Sequence, residues 1–184
     1  MSEAVRVLDY GVGNLRSVVR GFEAAGASVT LSTDLGDGRL VLPGVGAFAP
    51  AMNRLERHAE GLSAHVRAGR PLIGICLGMQ LLFSRSFEHG QTEGLGIFQG
   101  DVVALTNAAT VPNMGWHQLQ GLGNPYAYFA HSFGVASCPD TVATIEHGGS
   151  WVAAVRRGPV LGLQFHPEKS GRAGIRLLED WLRW

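Results

Sequence analysis

The chain has 184 residues, with fifteen Lys and Arg balancing fifteen Asp and Glu, and no basic run exceeds two residues, which argues against a nucleic-acid or anionic-membrane partner. Apolar residues make up 46% and charged residues only 16%, compatible with one folded domain that has part of its surface covered. Two cysteines, Cys76 and Cys138, are too few for a disulfide framework, and no window approaches the ~18 apolar residues of a membrane span. The N-terminus lacks the charged-then-apolar order of a signal peptide. These features describe a soluble cytoplasmic protein with a single domain over residues 1–184.

The first half alternates strand and helix patterns. Residues 5–8 read as a strand, and 14–25 as a helix with Leu15, Val18, Val19 and Phe22 on one face. Strands at 29–31 and 40–42 follow, then helical segments through 52–67, a strand at 72–75 and a helix at 77–83. This alternation predicts an α/β fold with a mainly parallel central sheet flanked by helices. In the second half, strands at 101–105, 127–131, 142–146, 151–156 and 161–165 are joined by glycine-rich turns, which adds antiparallel strands. An amphipathic helix at 175–182 closes the chain, and the spacing of Trp181 and Trp184 fits core packing.

Three stretches carry chemistry. G-I-C-L-G, residues 74–78, has the glycine-x-nucleophile-x-glycine form of a strand that turns abruptly into a helix, raising Cys76 above the sheet. A cysteine at that helix start also sits where the dipole favours a thiolate. The plainer alternative is a buried cysteine between helix-packing glycines. Q-F-H-P-E, residues 164–168, offers the proton-transfer partner and its orienting group. Proline disfavours helical geometry at His166, and an extended path points His166 and Glu168 the same way, completing a Cys-His-acid triad. The plainer alternative is a strand-end histidine with a solvated glutamate. L-P-G-V-G-A-F, residues 42–48, ends a strand in a glycine loop able to aim backbone N–H groups at an oxyanion, together with the N–H of Leu77. It also reads as an ordinary strand–helix turn.

Together, I-C-L-G-M-Q-L-L, P-G-V-G-A-F and Q-F-H-P-E-K-S resemble the class I (triad) glutamine amidotransferases. L-D-Y-G-V-G-N-L-R-S, G-L-G-I-F-Q-G-D-V, P-N-M-G-W-H and Y-F-A-H-S-F narrow the resemblance to the glutaminase subunits of imidazole glycerol phosphate synthase. The resemblance implies a flavodoxin-like amidotransferase fold in which Cys76 attacks the carboxamide of L-glutamine and forms a glutamyl thioester. His166 then transfers protons, Glu168 orients it, and Val45 and Leu77 donate to the oxyanion. Glutamine contacts fall on Gly46, Gln80, His131, Ser132 and Phe133. Ammonia passes to a (β/α)₈-barrel cyclase subunit in a heterodimer, with Asn14 and Lys169 on the face toward it, and neither cofactor nor metal is implied. Two positions depart from the family pattern: Phe133 replaces a tyrosine, and His117 follows M-G-W where asparagine is usual.

Glutaminases of other synthases (pyridoxal phosphate, anthranilate), a peptidase of the same elbow fold and a non-catalytic module remain as alternatives. The early G-V-G-N-L-R lacks the third glycine of a dinucleotide fingerprint, since position 16 is Arg16. His58 and His65, seven apart on one helical stretch, are too distant to chelate one ion alone and read as solvated side chains. Cys138 has no base nearby in sequence and reads as a bystander.

Overall fold

The computed structural model describes residues 2–106 and 110–184. The first half runs β1 (Ala4–Leu8), α1 (Leu15–Ala24), β2 (Ser28–Ser32), β3 (Arg39–Leu42), α2 (Phe48–Leu55), α3 (Ala59–Arg67), β4 (Leu72–Ile75) and α4 (Leu77–Leu81). Then come β5 (Phe83–Ser86), β6 (Thr92–Glu93), β7 (Phe98–Ala104), β8 (Asn113–Gln118), β9 (Gln120–Gly121), β10 (Tyr126–His131) and β11 (Phe133–Val135). The chain ends with β12 (Thr141–Glu146), β13 (Ser150–Arg157), β14 (Val160–Leu163) and α5 (Gly171–Trp181). No helix among the described residues is long and apolar enough to cross a membrane.

The large sheet has the order β2-β1-β3-β4-β14-β13-β12-β9. The strands from β2 to β14 are mutually parallel, and β13, β12 and β9 add antiparallel pairings, as the sequence pattern predicts. Alternation along the strands sends side chains to two apolar layers. Val5, Val41 and Ile73 pack with Phe22 of α1 and Trp181 of α5 on one face. Leu40, Leu42 and Leu72 pack with Phe48, Leu55 and Leu62 of α2 and α3 on the other. Burial on both faces explains the near-continuous apolar runs of β3 and β4. Trp181 is a core residue with its ring edge-on to Phe22, whereas Trp184 is half-buried under the guanidinium of Arg156.

Several expectations are corrected. The helix predicted to reach Phe83 stops at Leu81, because the Leu81 and Leu82 carbonyls accept from Leu95 and Phe98 instead of continuing the helix. Phe83 then pairs with Phe98 in a separate sheet of order β11-β7-β5-β6. α2 begins at Phe48 rather than 52, since the carboxylate of distant Glu88 accepts from the Phe48 N–H at 2.7 Å and caps the helix. β8 gives no strand pattern in the sequence because its apolar residues Met114 and Trp116 are exposed while Asn113 is buried. Only pairing with β10 defines it as a strand. His58 and His65 are buried rather than solvated, and His65 bonds the Pro71 carbonyl at 3.1 Å.

Candidate active site

Cys76 stands between β4 and α4 with φ 55° and ψ −114°, a left-handed conformation that is strained for any side chain. Its N–H donates to the Leu163 carbonyl at 2.7 Å, tying the corner to β14. The flanking glycines are sterically required. A Cβ on Gly74 would lie 2.8 Å from the Gly78 carbonyl oxygen, and one on Gly78 would overlap the carbonyl of Leu42. Cys76 is 6% exposed, at the floor of a cavity of about 530 Å³.

His166 arrives on the neighbouring strand. β4 and β14 are parallel, with Ile75 opposite Leu163, so both chains leave the sheet at the same edge and bring His166 to Cys76. Its backbone is held by Ser170, whose hydroxyl donates to the His166 carbonyl at 2.6 Å and accepts from the Tyr128 N–H at 3.0 Å. The His166 N–H in turn donates to the Tyr128 carbonyl at 2.9 Å. The His166 Nδ1–H donates to Glu168 Oε1 at 2.8 Å, and both side chains are buried. The route differs from the extended path expected. Residues Pro167–Lys169 form a 3₁₀ turn, and the turn folds Glu168 back under the imidazole.

Burial opposes protonation of His166, but interactions with Cys76 and Glu168 outweigh it and push the imidazole up to about 9. This histidine can therefore hold a proton taken from a thiol at neutral pH. His131 behaves in the opposite way. Burial drives it down to about 4, only partly countered by its bond to the Phe133 carbonyl. Because Nδ1 must donate to that carbonyl (2.8 Å), Nε2 is left to accept from Asn113 Nδ2 (3.0 Å), which defines a neutral tautomer.

That assignment has a consequence for stability. A histidine at about 4 when folded and 6.5 otherwise costs nothing above pH 6.5, and its stabilisation is lost as pH falls toward 4. The unfolding free energy is expected to drop by about 3 kcal/mol across that interval. Denaturation midpoints at pH 7 and pH 4.5 check this, and equal midpoints would contradict it.

The loop after β3 closes the cavity. Gly44 packs against the start of α4, where a Cβ would sit 2.8 Å from the Gly78 nitrogen, and Tyr10 donates to the Pro43 carbonyl at 2.7 Å. Burial, with a smaller contribution from Cys76, raises the Tyr10 hydroxyl, keeping it a neutral donor. Val45, Gly46, Leu77 and Gln80 line the cavity. So do His131, Ser132 and Phe133, from the far side. Phe133 contributes through its carbonyl, which accepts from Gln80 and His131 at 2.8 Å each, so the missing tyrosine hydroxyl leaves these bonds intact. His117 is not a lining residue; its ring packs edge-on against Phe129 and His147.

The two residues expected to face a partner are both exposed. Lys169 lies at the cavity rim, with its ammonium 5.8 Å from the Tyr128 ring. Asn14 caps α1, its side-chain oxygen accepting from the Ser17 N–H. Cys138 remains a free, half-buried thiol away from the site.

Sequence reasoning missed four supports: Ser170, Asn113, Gln164 and Gly21. Gln164, a polar residue inside an apolar run, was the most visible signal. Gly21 lies within α1, where a Cβ would meet Glu168 Cβ at 2.7 Å, so the helix can cover the triad acid only without a side chain there.

A strained cysteine elbow, a histidine–carboxylate pair and a glycine loop on an α/β sheet bring together the groups expected of a Cys-His-acid triad. The chain belongs to the class I glutamine amidotransferase family, whose model matches residues 6–183. Among curated relatives, the imidazole glycerol phosphate synthase subunit HisH of Exiguobacterium sibiricum is 46% identical, the match covering 96% of this chain and 93% of that protein. The protein of the same name from Renibacterium salmoninarum is 43% identical over 99% and 94%. A solved glutamine amidotransferase superposes with a TM-score of 0.77 at 19% identity, covering 98% of this chain and 99% of that one, a likeness in fold.

Proposed function

We propose that the chain is the glutaminase subunit of imidazole glycerol phosphate synthase, acting in the cytoplasm as a heterodimer with a (β/α)₈-barrel cyclase subunit. The observation that carries the chemistry is the Cys76–His166–Glu168 array beside a cavity of about 530 Å³. The relatives' shared name supports the choice of synthase.

In this reading, the Cys76 sulfur attacks the carboxamide carbon of L-glutamine after its proton passes to His166. The tetrahedral oxyanion accepts from the N–H groups of Leu77 and Val45. As the C–N bond breaks, His166 protonates the leaving nitrogen, releasing ammonia and leaving a glutamyl thioester. His166 then takes a proton from water, which attacks the thioester and frees glutamate and Cys76. Glu168 keeps the imidazole in register through the 2.8 Å bond. Gly46, Gln80, His131, Ser132 and Phe133 hold glutamine. The cavity opens toward Lys169, and Lys169 and Asn14 meet the cyclase, which receives the ammonia.

Glutamine hydrolysis by the purified chain, with and without the cyclase and its ligand, tests the proposal. Stimulation by this partner is expected, with weak hydrolysis in isolation, because the Gly44–Val45 peptide waits on docking to turn an N–H inward. Stimulation only by a pyridoxal phosphate synthase would assign the chain to that system, and full activity alone would remove the docking step.

Gly21→Ala probes the wall behind the triad acid. Alanine gains about 1 kcal/mol of helix propensity, but pressing its Cβ on Glu168 costs about 1–3 kcal/mol. A net loss is expected, with kcat falling about tenfold as Glu168 shifts and KM nearly constant. Urea unfolding and steady-state kinetics on the complex measure both, and unchanged kcat would sink the idea.

A further inference from the structure

We propose that Gln164 is a positioning residue of the glutaminase site: it locks the orientation of Gln80 and presents an N–H to the Cys76 sulfur. The inference rests on the glutaminase reading and extends it to a residue outside the triad and the substrate contacts.

Gln164 is fully buried, immediately after β14, between apolar neighbours Leu163 and Phe165. A buried side-chain amide is costly unless its polar ends are used. Both ends are used here, each on a group of the site. Oε1 accepts from Gln80 Nε2 at 2.9 Å, and Nε2 approaches the Cys76 sulfur at 3.9 Å. Its backbone N–H donates to the Ala153 carbonyl at 2.9 Å, fixing the position from which the side chain reaches.

The effect on Gln80 follows from counting donors. Its side-chain NH₂ has two hydrogens. One goes to the Phe133 carbonyl at 2.8 Å and the other to Gln164. Both donors are consumed inside the protein, so the amide cannot flip without losing two bonds. The group left for the cavity is the Gln80 carbonyl oxygen, an acceptor. Gln80 is thereby set to receive N–H groups, those of the substrate's carboxamide or ammonium, and to reject an acceptor in the same place. Gln164 makes that choice permanent.

At the sulfur, an N–H at 3.9 Å interacts weakly with a neutral thiol and more strongly with an anion. The donor is therefore worth most when the sulfur carries charge, before attack and again as the thioester collapses.

Gln164→Met keeps length and volume but removes the acceptor and the N–H. In the complex with the cyclase, KM for glutamine is expected to rise about tenfold, from the freed Gln80. Iodoacetamide is expected to alkylate Cys76 about tenfold more slowly at pH 7, read by peptide mass mapping with Cys138 as internal control. A purely structural role would lower the unfolding midpoint and move neither readout, and that result would overturn the proposal. If the variant does not fold, the unaltered complex decides: the Gln164 side-chain amide resonances are expected to shift when Cys76 is carboxamidomethylated, and unmoved resonances overturn the proposal. Failure of the glutaminase reading is distinguishable, since the unaltered chain would then hydrolyse no glutamine with any synthase.

Discussion

A Cys76→Ala chain in complex with the cyclase subunit is expected to lose glutamine-dependent turnover by about 10⁴-fold or more. The same complex supplied with ammonium salts is expected to keep its cyclase rate. The asymmetry follows from geometry. Cys76 is the one thiol lining the cavity among the described residues, facing an imidazole already held up to about 9 by its neighbours. No other group lining the cavity offers a nucleophile to which His166 is tuned. The substitution adds no strain, because the penalty at φ 55° comes from the Cβ that alanine and cysteine share. Steady-state assays with glutamine and with ammonia separate the outcomes. Equal loss of both rates would mean that the chain does not act as an ammonia donor.

Gly78→Ala is expected to be among the most damaging single-methyl additions at the described glycines. Its Cβ would overlap the Leu42 carbonyl and lie 2.8 Å from the Leu42 carbonyl carbon and 3.2 Å from that of Pro43. All three are backbone atoms of β3 and the loop after it, so no side chain can rotate aside. The contact costs about 3 kcal/mol or more, against the roughly 1 kcal/mol that alanine gains in a helix. Relief requires α4 to move away from β3, which opens the elbow and the oxyanion loop together. Glutaminase activity is expected to disappear while helix content persists. Gly38→Ala, with no atom within 4 Å of its Cβ, is the control and should shift the unfolding midpoint by less than about 0.5 kcal/mol. Unfolding curves of both variants, read beside their activity, check the pair. A Gly78→Ala protein of normal stability and rate would show that the close approach is not required.

These expectations trace how much was legible beforehand. The pattern at 72–75 matches β4 to its boundaries, because an apolar run bounded by Pro71 and the glycine-flanked cysteine admits little else. The resemblance alone puts Gln80 one turn into the elbow helix, and it lines the cavity. The outcome was poorer where partners lie far along the chain. β8 carries its apolar residues outward, and α2 is capped by a carboxylate 40 residues away, so neither leaves a local signature. His166 and Glu168 meet by a tight turn instead of an extended strand: His166 keeps the extended backbone favoured before Pro167, and the 3₁₀ turn begins after it, with the Ser170 hydroxyl donating back to the His166 carbonyl.

The sequence by itself determined which side chains are available for chemistry and the strand–helix order that carries them, since apolar periodicity, the glycines around Cys76 and the H-P-E run are local properties. Only the tertiary structure decided that Cys76 and His166 face one cavity, because that depends on β14 lying in parallel register beside β4. It also decided that Gln164, Ser170 and Gly21 serve the site. Their role is set by what packs against them, and burial against a distant segment has no period for a sequence to display.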